Sequence, residues 1–153
     1  MKIYRLNKSI SLPITIEECW EFFSNPKNLK IITPNYMGFD IIDLEDTKMY
    51  AGQIIKYNVS PILGLNMKWV TEISNVEINK FFVDEQRFGP YKFWHHKHKF
   101  EVIDGGIKVI DILDYALPFG IIGKIFEPFL IRPKIEEIFS FREKKLVEIF
   151  GKI

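Results

Sequence analysis

The feature that most constrains this chain is a change of hydrophobic period near residue 117. From about residue 38 up to that point, apolar and polar residues alternate in short runs. Beyond it, IRPKIEEIFSFREKKLVEIF (131–150) places Ile131, Ile135, Ile138, Phe139, Leu146, Ile149 and Phe150 at steps of three and four. Alternation marks strands with one buried face, and the longer period marks an amphipathic helix. Strands are expected near 38–45, 53–60, 67–77, 80–88, 91–103 and 107–117. Ala51-Gly52, Pro61 to Gly64, Gly89-Pro90 and Asp104-Gly105-Gly106 separate them, all of it turn chemistry. Links this short favour antiparallel hairpins. One long helix must bury its stripe on one face of such a sheet.

The opening segment IYRLNKSISL is also strand-like, with Tyr4, Leu6, Ile10 and Leu12 on one face. Thr15 and Glu18 then form a capping box, so a short helix carrying Trp20 and Phe23 should follow. Asn25-Pro26 starts a second short helix ending near Thr33-Pro34. Pro133 suits the first turn of the long helix, and Pro128 should separate that helix from a shorter turn at 121–127. The expected fold class is α+β: one domain, 1–153, in which a curved antiparallel sheet of about seven strands wraps around a long C-terminal helix. Two short helices follow the first strand. A sheet curved in this way does not collapse fully onto the helix, and a cavity is left.

Composition suits a lined cavity. Of the residues 47% are hydrophobic and 15% aromatic, with 14 phenylalanines, enough to fill a core and still face a hollow. The net charge of +1 provides no general attraction to nucleic acid. A single cysteine, Cys19, excludes an internal disulfide and reads as a small core residue. The start, MKIYRLNKSISLP, has no apolar h-region, and the longest apolar run, ALPFGIIG (116–123), is far too short to span a bilayer. The expected location is cytoplasmic, with no integral membrane association.

All three histidines fall in FWHHKHKF (93–100). A two-residue turn at Asp104-Gly105 pairs Trp94 with Tyr115, His96 with Leu113, His98 with Asp111, Phe100 with Val109 and Val102 with Ile107. Side chains alternate along a strand, so His96 and His98 share an aromatic inner face with Trp94, Phe100, Val102, Asp111, Leu113 and Tyr115. His95, Lys97 and Lys99 face outward. Nucleic-acid binding needs basic and aromatic residues on one exposed face, and here they are segregated.

Three readings fit the inward pair. In the first, the network is buried and satisfied: His98 bonds to Asp111, and His96 finds a hydroxyl or water. In the second, the pair orients the polar end of a ligand in an apolar cavity. In the third, His96, His98 and Asp111 hold a metal ion. No further His or Cys spacing supports the third, so no metal or cofactor is assigned.

Arg142 also falls in the helix stripe. It either reaches the rim or stays inside, paired with an acid such as Asp111, Asp114, Asp84 or Glu72, or with an acidic ligand head group. In FFVDEQRFG (81–89) either Asp84 or Glu85 faces inward, depending on how Gly89-Pro90 turns. Asp114 should point outward. Two loops, 60–67 and 116–131, are unusually apolar. They read as lids, as core packing, or as a transient membrane or protein contact.

WVTEI (69–73), FVDEQRFGPYKFWHHKHKF (82–100), the D-x-L-x-Y-x-L-P-F-G run from Asp111 to Gly120 and IFSFR (138–142) together resemble small bacterial ligand-binding SRPBCC proteins. These belong to the START-like superfamily that also includes the birch-pollen-allergen fold and polyketide cyclases, and some are described as cell-division inhibitors. The resemblance covers nearly the whole chain and implies a helix-grip fold with a cavity for a hydrophobic ligand. It implies no fixed catalytic residue, since the superfamily mixes carriers, sensors and enzymes. The Cys/His set of a Rieske cluster is missing.

The expected function is therefore binding of a small lipid-like or aromatic molecule, as carrier or sensor. The candidate contacts are Trp69, Trp94, His96, His98, Phe100, Asp111, Leu113, Tyr115, Phe119, Phe126, Ile135, Phe139 and Arg142. Two alternatives stand beside it. One is a cyclase or dehydratase using His98 with Asp111 as general base and His96 as acid. The other is a protein-interaction module acting through the apolar loops.

Overall fold

The computed structural model describes residues 1–43, 48–60 and 64–153. In chain order these form β1 (Tyr4–Leu12), α1 (Ile16–Phe23), two 3-10 turns (Pro26–Lys30 and Asn35–Met37), β2 (Asp40–Asp43), β3 (Ile54–Val59), β4 (Met67–Glu77), β5 (Phe81–Phe88), β6 (Phe93–Ile103) and β7 (Gly106–Ala116). Then come α2 (Gly120–Phe126), a π-helical turn (Glu127–Ile131) and α3 (Arg132–Phe150).

The seven strands form one sheet in the order β1-β7-β6-β5-β4-β3-β2, every pair antiparallel. β1 and β2 follow each other in sequence yet lie at opposite edges. The chain between them, α1 and the 3-10 turns, must therefore cross from one edge of the sheet to the other. α1 begins at the anticipated capping box: Thr15 Oγ1 accepts from Glu18 N at 3.2 Å, and Thr15 N donates to Glu18 Oε2 at 2.8 Å. Asn25 caps the next segment by accepting from Lys27 N at 3.1 Å. That segment is a 3-10 turn, not a second α-helix. Pro34 disfavours helical geometry at Thr33, so the stretch after Pro26 is too short for an α-helix to propagate.

The β6–β7 hairpin has the expected register, with Trp94 opposite Tyr115, His96 opposite Leu113 and His98 opposite Asp111. Gly105 takes φ 79° in the turn, a left-handed conformation that suits glycine. α3 buries Ile135, Phe139, Arg142 and Leu146, successive steps of four, three and four. Pro133 lies in its first turn as expected. Pro128 does not interrupt the helical course. The π turn absorbs it, so α2, the π turn and α3 follow one another without a gap.

The core is divided. Ile10, Leu12, Cys19, Phe23, Phe100, Val109 and Leu146 pack at one end. Tyr4, Leu6, Leu113, Tyr115, Ile131, Ile135 and Phe139 pack at the other. Phe39, Ile55, Tyr57, Val59 and Ile73 form a third group on the far strands. The hollow lies among these three groups.

Candidate functional site: a cavity with one polar corner

The hollow is a cavity of about 180 Å³. Its sheet wall carries Ile55, Tyr57, Trp69, Ile73, Phe82, Trp94, His96 and His98. The stretch between α1 and β2 contributes Leu29, Ile32 and Met37, and α3 contributes Ile135, Ile138, Phe139 and Arg142. Most of this surface is apolar. The acid, the arginine and the two histidines of the lining gather in one corner, where β5, β6 and β7 meet α3.

Strand pairing builds that corner. Asp84 on β5 lies opposite His96 on β6, and His98 on β6 lies opposite Asp111 on β7. His96 Nε2 is 3.0 Å from Asp111 Oδ1, and its Nδ1 is 3.6 Å from Asp84 Oδ2. His98 Nε2 is 2.8 Å from Asp84 Oδ2, and its Nδ1 is 2.9 Å from Asp111 Oδ1. Each imidazole thus turns one nitrogen to each carboxylate. The two rings lie 3.9 Å apart between centroids. From α3, Arg142 Nη1 comes within 3.5 Å of Asp111 Oδ1 and Nη2 within 3.4 Å of His98 Nδ1. The guanidinium also lies over the Phe23 and Phe139 rings at 5.4 and 6.0 Å. Its Nε is buried without a hydrogen-bond partner.

The electrostatics follow from burial and pairing. Burial alone would raise both carboxyls. The Arg142 charge and the histidine hydrogen bonds outweigh it at Asp111 and hold that acid well below the ordinary range. At Asp84 the His98 hydrogen bond and the charges of His96, His98 and Arg142 outweigh burial and lower the carboxyl. Burial depresses His96, helped by the nearby charge of His98. Burial also opposes charge on His98, but its bonds to Asp111 and Asp84 prevail and raise it. The corner thus sets two acids against one guanidinium and two imidazoles, and pairing of this kind is what buried ionic groups require.

The structure redistributes the sequence expectations. Trp69, Trp94, His96, His98, Ile135, Phe139 and Arg142 do line the cavity, whereas Phe100, Asp111, Leu113, Tyr115, Phe119 and Phe126 do not. Phe100 is packed solid with Leu146, and Leu113 and Tyr115 with Ile131. Asp111 stands behind the two histidines. Phe119 and Phe126 point to solvent. His98 is not bonded to Asp111 alone, and His96 bonds to a carboxylate, not to a hydroxyl or water. Of the two acids on β5, Asp84 faces inward, and Glu85 pairs with Arg87 on the outside. Arg142 is buried, not at the rim, and Asp111 is its acidic partner at 3.5 Å. Asp114 points outward to Arg5, with contacts of 2.7 and 2.8 Å. Ile62 and Leu63 of the first apolar loop lie outside the described residues.

Several lining residues went unread in the sequence: Phe39, Ile55, Tyr57, Thr71, Ile73, Phe82 and Tyr91. Alternation along β3 and β4 carried the signal for Ile55, Tyr57, Thr71 and Ile73.

No family model matches the chain, and no curated protein matches it by sequence. Solved structures do resemble it in three dimensions. Protein CV1439 from Chromobacterium violaceum has a TM-score of 0.70 at 12% identity, covering 100% of both chains. Ginseng major latex-like protein 151 from Panax ginseng has a TM-score of 0.67 at 14% identity over 97% of each chain. Ara h 8.0201 has a TM-score of 0.58 at 15% identity, covering 96% of this chain and 99% of its own. The fold is the helix-grip fold. Likeness at this level of identity speaks for architecture. Among the described residues no helix is long and apolar enough to cross a membrane.

Proposed function

We propose that the protein binds a small, mainly hydrophobic molecule, lipid-like or aromatic, in the cavity between the sheet and α3, as a carrier or sensor. The observation that carries this reading is the cavity itself: about 180 Å³, walled mainly by aromatic and aliphatic side chains, with its acid, arginine and histidines together in one corner. Such a site holds the body of a ligand by burial and fixes its polar end at Asp84, His96, His98 and Arg142. The acid/base alternative is less well supported. Both ring nitrogens of His98, the base that reading requires, face carboxylates, so His98 does not offer a free nitrogen to a substrate proton. The test is denaturing extraction of the purified protein followed by mass spectrometry, with thermal unfolding in the presence of fatty acids and polyaromatic compounds. The expected result is a co-purifying hydrophobe, or a rise in Tm with one of these classes. Extracts free of such molecules, together with an unchanged Tm across the series, argue against the reading.

A second observation favours contact with a membrane surface. Phe119, Ile121, Ile122, Ile125, Phe126 and Phe129 are all exposed, Phe119 at 79% and Phe129 at 82%. Lys2, Lys92 and Lys124 line a recess beside them. Glu127 is the only acid between 115 and 135, and it is buried, accepting from Tyr115 Oη at 2.6 Å and Arg132 Nε at 3.0 Å. An apolar face rimmed by cations, with no exposed acid of its own, complements a bilayer with anionic head groups. On this reading α2 rests on the membrane while the cavity collects or delivers its ligand.

A further inference from the structure

We propose that Asp84, His96 and His98 form a three-ligand site for a divalent transition-metal ion, with its remaining coordination position open to the cavity. The inference does not depend on a hydrophobic ligand, and either one can fail alone.

The first argument is the convergence of donors. One ligand atom from each of the three residues lies within 4.8 Å of the others. Asp84 Oδ2 is 2.8 Å from His98 Nε2 and 3.6 Å from His96 Nδ1. A tetrahedral ion with metal–ligand bonds of about 2.0–2.1 Å separates its donors by roughly 3.3 Å. The distances from Asp84 to the two histidines, 2.8 and 3.6 Å, bracket that value. The longer one, 3.6 Å, is not a hydrogen bond. It leaves His96 Nδ1 directed at Asp84 without a hydrogen bond between them.

The second argument is what lies behind the donors. A metal-binding histidine usually gives its other ring nitrogen to a carboxylate, which fixes the tautomer and the ring. Asp111 does this for both rings at once, 3.0 Å from His96 Nε2 and 2.9 Å from His98 Nδ1. One acid off the cavity wall thereby orients both imidazoles so that His96 Nδ1 and His98 Nε2 face the third ligand. The sequence reading made Asp111 a ligand. The structure assigns it the supporting role and makes Asp84 the ligand.

The third argument is charge. Two buried carboxylates, Asp84 and Asp111, face a single guanidinium here, so a cation seated between Asp84 and the imidazoles meets an excess of acid. Two imidazoles and one carboxylate suit zinc, iron(II) or cobalt(II) better than magnesium or calcium, which prefer all-oxygen sites. Tyr57, Phe82, Trp94 and Phe139 surround the open side, so a ligand oxygen entering the cavity would meet the ion.

The test uses full-length, chelator-stripped protein titrated with cobalt(II) by visible absorption and with zinc(II) by calorimetry. One ion per chain is expected, with zinc displacing cobalt. X-ray absorption of the zinc-loaded wild-type protein should show two imidazole ligands, a readout that needs no variant. Asp84→Asn and His98→Gln should abolish uptake, Asp111→Asn should weaken it by about 10–100-fold, and outward-facing His95→Ala should leave it unchanged. Absence of uptake by the wild-type protein overturns the proposal. So does uptake that survives Asp84→Asn, or an absorption spectrum without imidazole scattering.

Discussion

Arg142 on α3 and Asp111 on β7 meet at 3.5 Å, both buried, and so tie the long helix to the sheet beside the cavity. Both groups are shielded from water, so this contact carries more than an exposed pair would. Removing one partner of a buried pair leaves an uncompensated charge and costs about 3–5 kcal/mol. Arg142→Met should therefore be strongly destabilised in urea unfolding. The double variant Arg142→Met/Asp111→Asn should lose clearly less than the sum of the two single changes. Additive losses would mean that the two side chains do not act as a pair.

The cavity can be filled from the helix side. Ile138 is half-buried and lines the hollow, so Ile138→Trp places an indole where the body of a ligand would lie. Thermal-shift titrations should show apolar probes binding at least about tenfold more weakly, a loss of about 1.4 kcal/mol. Stability without ligand should fall by no more than about 1–3 kcal/mol, the usual cost of overpacking. Undiminished binding would place the ligand somewhere else.

The histidine faces were legible in the sequence because alternation is strict and the Asp104-Gly105 turn sets the register; all five expected cross-strand pairs occur. Asp84 was not, because the β5–β6 loop is not set by Gly89-Pro90 alone. The Gln86 side chain clamps the Tyr91 backbone, donating to Tyr91 O at 2.6 Å and accepting from Tyr91 N at 3.1 Å. No periodicity announces such a bond. Phe100, Leu113 and Tyr115 failed to reach the cavity for a different reason. Alternation tells which face a residue occupies, but not whether the helix packs solidly over it or stands away. Phe119 and Phe126 read as cavity residues because they are large and apolar, and the direction in which α2 leaves β7 decided otherwise.

Alkaline pH should destabilise the protein partly through Cys19. Burial pushes this thiol up to about 12, from an ordinary value near 9. The folded state thus holds the proton where the unfolded chain releases it. The stabilisation is complete below pH 9 and is lost as pH rises from there towards 12. Cys19→Ala removes this contribution, so its stability should fall less steeply with pH across that window, whatever the cavity costs at neutral pH. Burial also raises the buried hydroxyls of Tyr57 and Tyr91, which add loss in the same direction for both proteins. Parallel pH profiles for variant and wild type would remove Cys19 from the account.

The α2 face gives a prediction that separates apolar from electrostatic contributions. Flotation with vesicles containing anionic lipid should recover the protein. Phe119→Ser with Phe129→Ser should abolish recovery without loss of stability, because both rings are exposed and no buried packing is removed. Lys92→Gln with Lys124→Gln should act differently. It weakens binding most at low salt and less at high salt, where the attraction is already screened to within a few ångströms. Each basic residue near an anionic surface contributes about 1 kcal/mol, so the pair should account for roughly a 30-fold change at low ionic strength. Equal recovery on neutral and anionic vesicles would remove the lysines from the mechanism, and no recovery on either would remove the membrane.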